Sequence, residues 1–166
     1  MRTLGHMTSE VQKQALRVFA DYFQFYLWDE GVSPDAPTDW TDIDVNRRLK
    51  AAPNVVAVSP VRNMHVPVEV EIHAVELPYD PSIWDHIAEC SLELPSGRLQ
   101  VHECTGGPVA SFRVKPGTYR VRAFYGALGK LSEDGLDGED HYRIILWPAP
   151  MADLKVLKAW SETHVA

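Results

Sequence analysis

The stretch DYFQFYLWDEGVSPDAPTDWTDID, residues 21–44, combines the densest aromatic run of the chain with its first block of acidic residues. Within it, the side chains of Tyr22–Trp28 alternate with the two-residue period of a strand, and apolar residues occupy both faces. A strand with two apolar faces is normally covered on both sides. The pattern therefore predicts a central strand, around which the other strands pack.

A loop and a short helix are expected after this strand. Two prolines within residues 34–37 interrupt regular structure and favour a loop. Thr41 is a suitable N-cap, and Asp44, three residues later, can complete a capping box, so a helix is predicted to begin there. Val45 and Leu49 would form the buried face of this helix.

Short apolar or alternating runs predict further strands along the rest of the chain. In the clearest run, residues 66–77, apolar and polar side chains alternate, so the face that carries Glu71 and His73 should lie in solvent. The turn sequences at 95–97 and 115–118 each predict a hairpin between their flanking strands. The expected strands are residues 54–58, 66–77, 90–94, 99–101, 110–114, 119–123 and 142–147.

These short strands, separated by Pro and Gly turns, indicate a mostly-β fold: a single-domain antiparallel β-sandwich with one or two short helices. Residues 1–18 are interpreted as a lead-in segment, helical or frayed, and residues 19–148 as the sandwich domain. Residues 149–166 are expected to be a packed C-terminal extension. There the spacing of Leu154 and Leu157 favours a helix over an extended segment laid on the sheet.

The bulk composition restricts the function classes. The chain has 166 residues, 45% of them hydrophobic, and a net charge of -7, which argues against direct nucleic-acid binding because phosphates need a basic surface. No window has the roughly 20 apolar residues of a membrane span, and no secretory signal is visible, so we predict a cytoplasmic protein without membrane contact. In that compartment Cys90 and Cys104 should be free thiols.

The acidic residues are unevenly distributed. Residues 19–46, 63–97 and 132–140 contain no Lys or Arg, yet they hold 19 of the 23 acids. Each stretch alone is typical of a solvated face, but together they would attract a basic partner if the fold brings them close. The basic stripe within 113–122 is interpreted as internal charge balance, and the glycine-rich loop 126–140 as the mobile element.

No common catalytic motif occurs in the sequence. The nucleophile-elbow, phosphate-loop, dinucleotide-binding and zinc-protease patterns are all absent. The histidines have no cysteine partners at metal-ligand spacing, and the acids of the 126–140 loop do not follow the EF-hand pattern. We therefore predict no enzyme activity, no metal and no cofactor, and we expect the function to be binding.

The pairing of Tyr22-Phe23-Gln24-Phe25 with Asp39-Trp40-Thr41-Asp42 resembles the ComJ family, inhibitors of the DNA-entry nuclease NucA. The resemblance continues through residues 51–52, 55–58 and 62–63 and into the strand after them. It returns more weakly at 116–119 and 140–145, which leaves the C-terminal extension outside it. It implies a β-rich fold and a protein that binds and silences a nuclease. The partner would then be the nuclease itself, with no direct contact to nucleic acid.

An inhibitor that imitates a polyanion can fill the basic cleft of a nuclease with carboxylates, while aromatic side chains form the desolvated centre of the interface. The stretch 21–44 and the loop 126–140 supply these residue types. The predicted partner-binding residues are Asp29, Glu30, Asp39, Trp40, Asp42, Glu133, Asp134, Asp137, Glu139 and Asp140.

Two other function classes stay open at the level of the sequence. A small-molecule or carbohydrate-binding β-sandwich would use exposed tryptophans beside carboxylates in the same way. A metal-dependent enzyme is the further alternative. The plain interpretation of Trp28 and Trp40 is core packing. A nuclease encoded next to this protein would favour inhibition, whereas a concave aromatic groove without such a neighbour would favour the ligand-binding module.

Overall fold

The computed structural model of the chain describes residues 11–161. In this range eleven strands form two sheets that enclose a common core, so the predicted mostly-β sandwich is confirmed. The described residues also contain one short α-helix and two 3-10 turns, Asp21–Phe23 and Pro81–Ile83. The strands are β1 (Gln12–Phe19), β2 (Phe25–Asp29), β3 (Leu49–Ala52), β4 (Val55–Val58), β5 (His65–Ile72), β6 (His86–Leu94), β7 (Arg98–Glu103), β8 (Gly107–Arg113), β9 (Gly117–Gly126), β10 (His141–Pro148) and β11 (Lys155–Lys158), and the helix is α1 (Asp42–Arg47).

The two sheets have separate strand orders. Over residues 11–161, six strands follow the order β1-β5-β10-β9-β6-β11, and five follow the order β3-β4-β2-β7-β8. The described neighbours run antiparallel except β5 and β10, which are parallel. β2 thus lies in the centre of the five-stranded sheet, as its two apolar faces predicted.

Burial of β2 on both sides explains its central position. Phe25 and Leu27 point into the core between the sheets and are fully buried. Tyr26, on the opposite face, packs in a separate cluster against Val55 and Ala57 of β4. The loop after β2 folds back over this cluster and packs Ala36 and Trp40 against it. Each fully buried large apolar side chain contributes about 1.5–3 kcal/mol.

The two hairpins predicted at residues 95–97 and 115–118 are wrong. β6 and β9 belong to the six-stranded sheet while β7 and β8 belong to the five-stranded sheet, so each turn carries the chain across the core. Gly97 serves one crossing: its φ is +72°, and a Cβ there would lie 2.7 Å from the carbonyl oxygen of Val114. Both sheets face one core, so the two strands that flank a turn show the same alternation of apolar and polar side chains whether the turn forms a hairpin or crosses between the sheets. The hairpin of this region joins β7 to β8.

The outer face of the six-stranded sheet is largely covered. Glu71 and His73, predicted to lie in solvent, are buried. The Glu71 carboxylate contacts the His73 ring at 2.8 Å and accepts from Arg143 Nε at 2.8 Å, which satisfies a charge that burial would otherwise disfavour. Segment 74–85 supplies part of the cover. The apolar cluster on this face consists of Trp84, Ile87, Phe124, Ile145 and Trp147.

The predicted role of the basic stripe in internal charge balance is confirmed for Arg120 and Arg122. Both are buried on β9, and their Nε atoms donate to the two carboxylate oxygens of Glu89, at 2.9 Å and 2.8 Å. The guanidinium of Arg122 also lies 4.6 Å from the ring of Tyr79 and 4.7 Å from that of Trp147. The charges of these two arginines are therefore compensated inside the fold.

Both chain ends differ from the sequence-based interpretation. Residues 12–18, assigned to a lead-in, belong to edge strand β1, and residues 1–10 lie outside the described residues. In the C-terminal extension β11 pairs with β6, so the helix is wrong and the extended alternative is correct. Arg120 donates to the carbonyls of Ala152 and Asp153, which fixes this path.

The two cysteines are free thiols, as predicted, because they lie in different parts of the sandwich. Cys90 is in the core on β6, and burial raises its pKa to about 12, whereas Cys104 is only half-buried beside Tyr26. We expect a thiol reagent at about pH 8 to modify Cys104 in the folded protein and Cys90 only after denaturation. Finding no second thiol in denatured protein that was kept from air would contradict this.

Candidate functional site

One end of the sandwich collects most of the residues that carried the sequence signal. Phe25, the first residue of β2, pairs with Val58, the last residue of β4, and the first residue of β3, Leu49, pairs with Val58 as well. β5 and β10 begin at this end because they run parallel, and the turn between β1 and β2 lies there too. We call it the aromatic end; it comprises residues 20–24, 39–48, 59–63 and 131–140.

The turn from β1 to β2 presents two aromatic side chains. Tyr22 and Phe23, predicted to be strand residues, have φ values of 58° and 59°, a left-handed conformation that costs about 1–3 kcal/mol per non-glycine residue. The N–H of Tyr22 donates to Asn63 Oδ1 at 3.1 Å, and the Ser59 hydroxyl donates to the carbonyl of Phe23 at 2.8 Å. Tyr22 is 66% exposed and Phe23 47%. Neither position holds the Gly or Asn that would signal such a turn in the sequence.

Helix α1 begins as predicted, with a capping box between Thr41 and Asp44. Lys50 donates to Asp44 at 2.6 Å, and this hydrogen bond, with that of the Thr41 N–H, lowers the pKa of Asp44 to about 2. The predicted buried face is wrong for Val45, which is 52% exposed. The helix has only six residues, and the chain turns after it, so Leu49 enters the core as part of β3.

A pocket of about 390 Å³ opens at the aromatic end between the strained turn and α1. The guanidinium of Arg48 borders it and lies over the ring of Trp160 at 5.0 Å. Trp40 also lines the pocket, and the indole N–H of this residue is buried and has no hydrogen-bond partner among residues 11–161. We call this cavity the aromatic pocket; its apolar wall consists of Tyr22, Phe23, Trp40, Val45, Pro60 and Val61.

The predicted partner-binding residues are divided between the two ends of the sandwich. Glu30 follows the far end of β2, where its carboxylate lies 3.9 Å from Arg98. Apart from Asp29, the other predicted acids lie at the aromatic end. The 131–140 loop, which carries several of them, is held near the pocket because Arg62, directly after Val61, donates to the carbonyl of Leu136 at 2.9 Å. The exposed acids that the fold brings to this end are Asp39, Asp42, Glu133, Asp134, Asp137 and Glu139.

Asp29 and Asp140 are buried, so they leave the partner-binding set. The carboxylate of Asp29 accepts from the N–H groups of Val32 and Ser96, both at 2.9 Å. The carboxylate of Asp140 accepts from Arg62 Nε at 2.7 Å and from a tyrosine hydroxyl on β10 at 2.6 Å. Both acids hold loops to the sandwich. For the other predicted residues, partner binding stays a prediction.

The two tryptophans of the opening stretch are half-buried. The indole N–H of Trp28 donates to Gln100 Oε1 at 2.9 Å, and its ring lies 4.3 Å from the ring of His102. Trp40 packs against the cluster around Tyr26 while it lines the aromatic pocket. Trp28 is therefore tied to its own sheet, and Trp40 is the tryptophan of this pair that borders a cavity.

The loop at 131–140 is organised by its own side chains. Asp134 Oδ1 accepts from the Ser132 hydroxyl and from the N–H of Leu136, and the pKa of Asp134 lies below its ordinary value because of these hydrogen bonds. The described part of the chain contains no cluster of three or more metal-binding side chains. Over residues 11–161, no helix combines the length and apolarity needed to cross a membrane.

Comparison with known proteins shows a shared fold. No protein-family model and no curated protein sequence matches the chain. The structure of ComJ from Bacillus subtilis, inhibitor of the DNA degrading activity of NucA, superposes with a TM-score of 0.63 at 17% identity, over 85% of this chain and 98% of that one. A protein described as crocagin biosynthetic gene J superposes with a TM-score of 0.54 at 21% identity, over 86% and 99%. This chain is similar in fold to both.

Proposed function

We propose that this protein is a non-enzymatic inhibitor that binds a nuclease and blocks it with its aromatic end. The supporting observation is the fold shared with almost the full length of ComJ, an inhibitor of the DNA degrading activity of NucA. Since one fold can carry several functions, the proposal also needs a suitable surface. We place this activity in the cytoplasm, as the sequence predicted.

The charge of the aromatic end supports this role. The protein has a net charge of -7, and the Asp39 side chain is 89% exposed at this end. Asp42 lies three residues further on, and the exposed acids of the 131–140 loop belong to the same end. A nuclease needs a basic cleft to hold DNA, so fields of opposite sign would steer the two proteins together.

Neutralising the exposed acids of the aromatic end is expected to slow association. We predict that the combined change Asp39→Asn, Asp42→Asn, Asp134→Asn, Asp137→Asn and Glu139→Gln lowers the association rate constant about tenfold or more at low salt, with a smaller effect on dissociation. The same change should flatten the salt dependence of association, because fewer charges remain to be screened. Stopped-flow or biosensor kinetics against the purified nuclease would measure both.

The matched control is Glu30→Gln. This acid belonged to the predicted binding set but lies at the opposite end of the sandwich, so its neutralisation should leave the association rate unchanged. If Glu30→Gln slowed association as strongly as the changes at the aromatic end, the assignment of the interface to that end would be wrong.

The proposed function itself is tested by DNA digestion. NucA, and any nuclease encoded next to this protein, would be assayed with and without the protein at a stoichiometric ratio, with gel filtration of the mixtures. Loss of cleavage together with a co-eluting complex is the expected result. Undiminished cleavage by each nuclease and no complex would reject inhibition.

A small-molecule or carbohydrate-binding module is the second candidate function. The aromatic pocket, at about 390 Å³, is within the ~300–1,000 Å³ usual for ligand sites, and aromatic side chains form part of its wall. A ligand in this pocket would change the fluorescence of Trp40 and raise the melting temperature. Those two readouts with a carbohydrate panel, in the absence of nuclease inhibition, would favour this candidate.

A further inference from the structure

The aromatic pocket gathers apolar surface that the fold does not use. Tyr22, Phe23 and Val45 are three of the large hydrophobic side chains left substantially exposed in the described residues, and all three border the same cavity. Scattered single exposures are ordinary, but a contiguous apolar patch with a polar rim is typical of a binding surface. This convergence distinguishes the pocket from other exposed apolar side chains such as Val75 and Met151.

The fold maintains this surface at a cost. Two successive aromatic residues are held in the left-handed region, and the side chains that hold them, Asn63 and Ser59, belong to segment 59–63, of which residues 59–61 line the pocket. An extended conformation at Tyr22 and Phe23 would relieve the strain. The hydrogen bonds therefore fix the backbone that carries two large rings before any partner arrives, which reduces the entropy that binding must offset.

The charges around the pocket define what can enter it. Asp39 and Asp42 flank Trp40 and Thr41 at the start of α1 and are exposed, and Lys50 Nζ lies 2.6 Å from Asp44 and 3.7 Å from Asp39. The Arg48 guanidinium beside the pocket lies over the Trp160 ring. An incoming segment thus meets a largely apolar wall that includes the Arg48 guanidinium, and the exposed acids of the aromatic end lie outside that wall. Charge complementarity calls for a large apolar side chain with basic neighbours.

We infer that the aromatic pocket is the anchor of the inhibitory complex and receives one large apolar side chain of the nuclease, from a surface segment that also carries Lys or Arg. This inference rests on the proposed function and assigns association and dissociation to different parts of the aromatic end. The exposed acids of the aromatic end govern how fast the partner arrives. The pocket governs how long it stays, because apolar anchors act mainly on dissociation.

The test measures association and dissociation rates with immobilised NucA, and with any nuclease encoded next to this protein, at two salt concentrations. The pocket variants are Tyr22→Ala and Val45→Lys. Val45 is an exposed helix position and Lys is a good helix former, so Val45→Lys should fold even if the strained turn tolerates Tyr22→Ala poorly. The control is Val75→Lys, which is similarly exposed and follows the far end of β5.

Both pocket variants are expected to raise the dissociation rate by about 30-fold or more, the loss typical of an interface hot spot. Tyr22→Ala, which leaves the charge unchanged, should alter the salt dependence of association little. Val75→Lys should behave as wild type. If the wild-type complex forms and the pocket variants dissociate at the wild-type rate, the pocket inference is wrong and nuclease inhibition stands. If wild type forms no complex, the proposed function fails and the inference with it.

A second copy of this chain is the competing occupant of the pocket. Sedimentation of the protein alone distinguishes it: a wild-type dimer that Val45→Lys dissociates into monomers would assign the pocket to self-association and overturn the inference. A wild-type protein and a Val45→Lys variant that sediment alike leave the pocket to the nuclease.

Discussion

Replacement of Glu89 by Gln is expected to lower the free energy of unfolding by about 3–5 kcal/mol, the usual cost of removing one partner from a buried ion pair. The Glu89 carboxylate accepts from Arg120 and Arg122, and all three side chains are buried. Gln keeps the shape and one acceptor oxygen but removes the charge that compensates Arg120 and that, together with Glu76, compensates Arg122. Equilibrium unfolding in urea would measure the loss.

The control for this change is Glu93→Gln, four residues along the same strand. Glu93 is exposed, so its replacement should alter stability by no more than about 0.5 kcal/mol. Equal losses for the two variants would mean that the ion pairs of Glu89 contribute nothing beyond an exposed acid.

The pH dependence of unfolding gives a second measure of Glu89. Burial alone would raise its pKa, but the hydrogen bonds from Arg120 and Arg122 outweigh burial and hold the pKa below its ordinary 4.5. A depressed pKa contributes stability that is present above the unfolded-state pKa and is lost as the pH falls through the folded-state value. The difference between wild type and Glu89→Gln should therefore shrink in acid below about pH 4.

Truncation after Pro148 is expected to lower the melting temperature by roughly 10 °C or more, because each kcal/mol corresponds to about 2–4 °C at this size. The truncation removes β11 from the edge of the six-stranded sheet, along with Leu154 and Trp160, which pack against the core. It also removes the carbonyls of Ala152 and Asp153 that accept from buried Arg120. Thermal unfolding followed by circular dichroism would measure the shift.

Point variants separate packing from chain length. Leu154→Ala with Trp160→Ala should reproduce a large part of the loss, whereas Leu157→Ala, at an exposed position of β11, should change little. Inhibition by the truncated protein is expected to persist at temperatures where it is folded, because the acids of the aromatic end lie outside the extension. A truncated protein with an unchanged melting temperature and no inhibition would place the extension in the interface instead.

Local sequence was sufficient where neighbouring residues determine the structure. The apolar faces of β2 predicted its central place because a strand that is apolar on both sides has to be covered twice. Thr41 and Asp44 predicted the start of α1 because both partners of a capping box lie within one turn. The alternation of β5 predicted its buried face for the same local reason.

The tertiary structure decided every feature in which the partners are distant in the chain. Tyr22 owes its left-handed turn in part to Asn63, and Asp140, just before β10, is paired with Arg62, which lies 78 positions away and precedes the neighbouring strand β5. The turn at 95–97 crosses the core, although its sequence suits a hairpin equally well. The composition of the acidic stretches was visible in the sequence. Their division between two ends, and the pocket beside one group, arose from strand register, because pairing over long separations has no local signature.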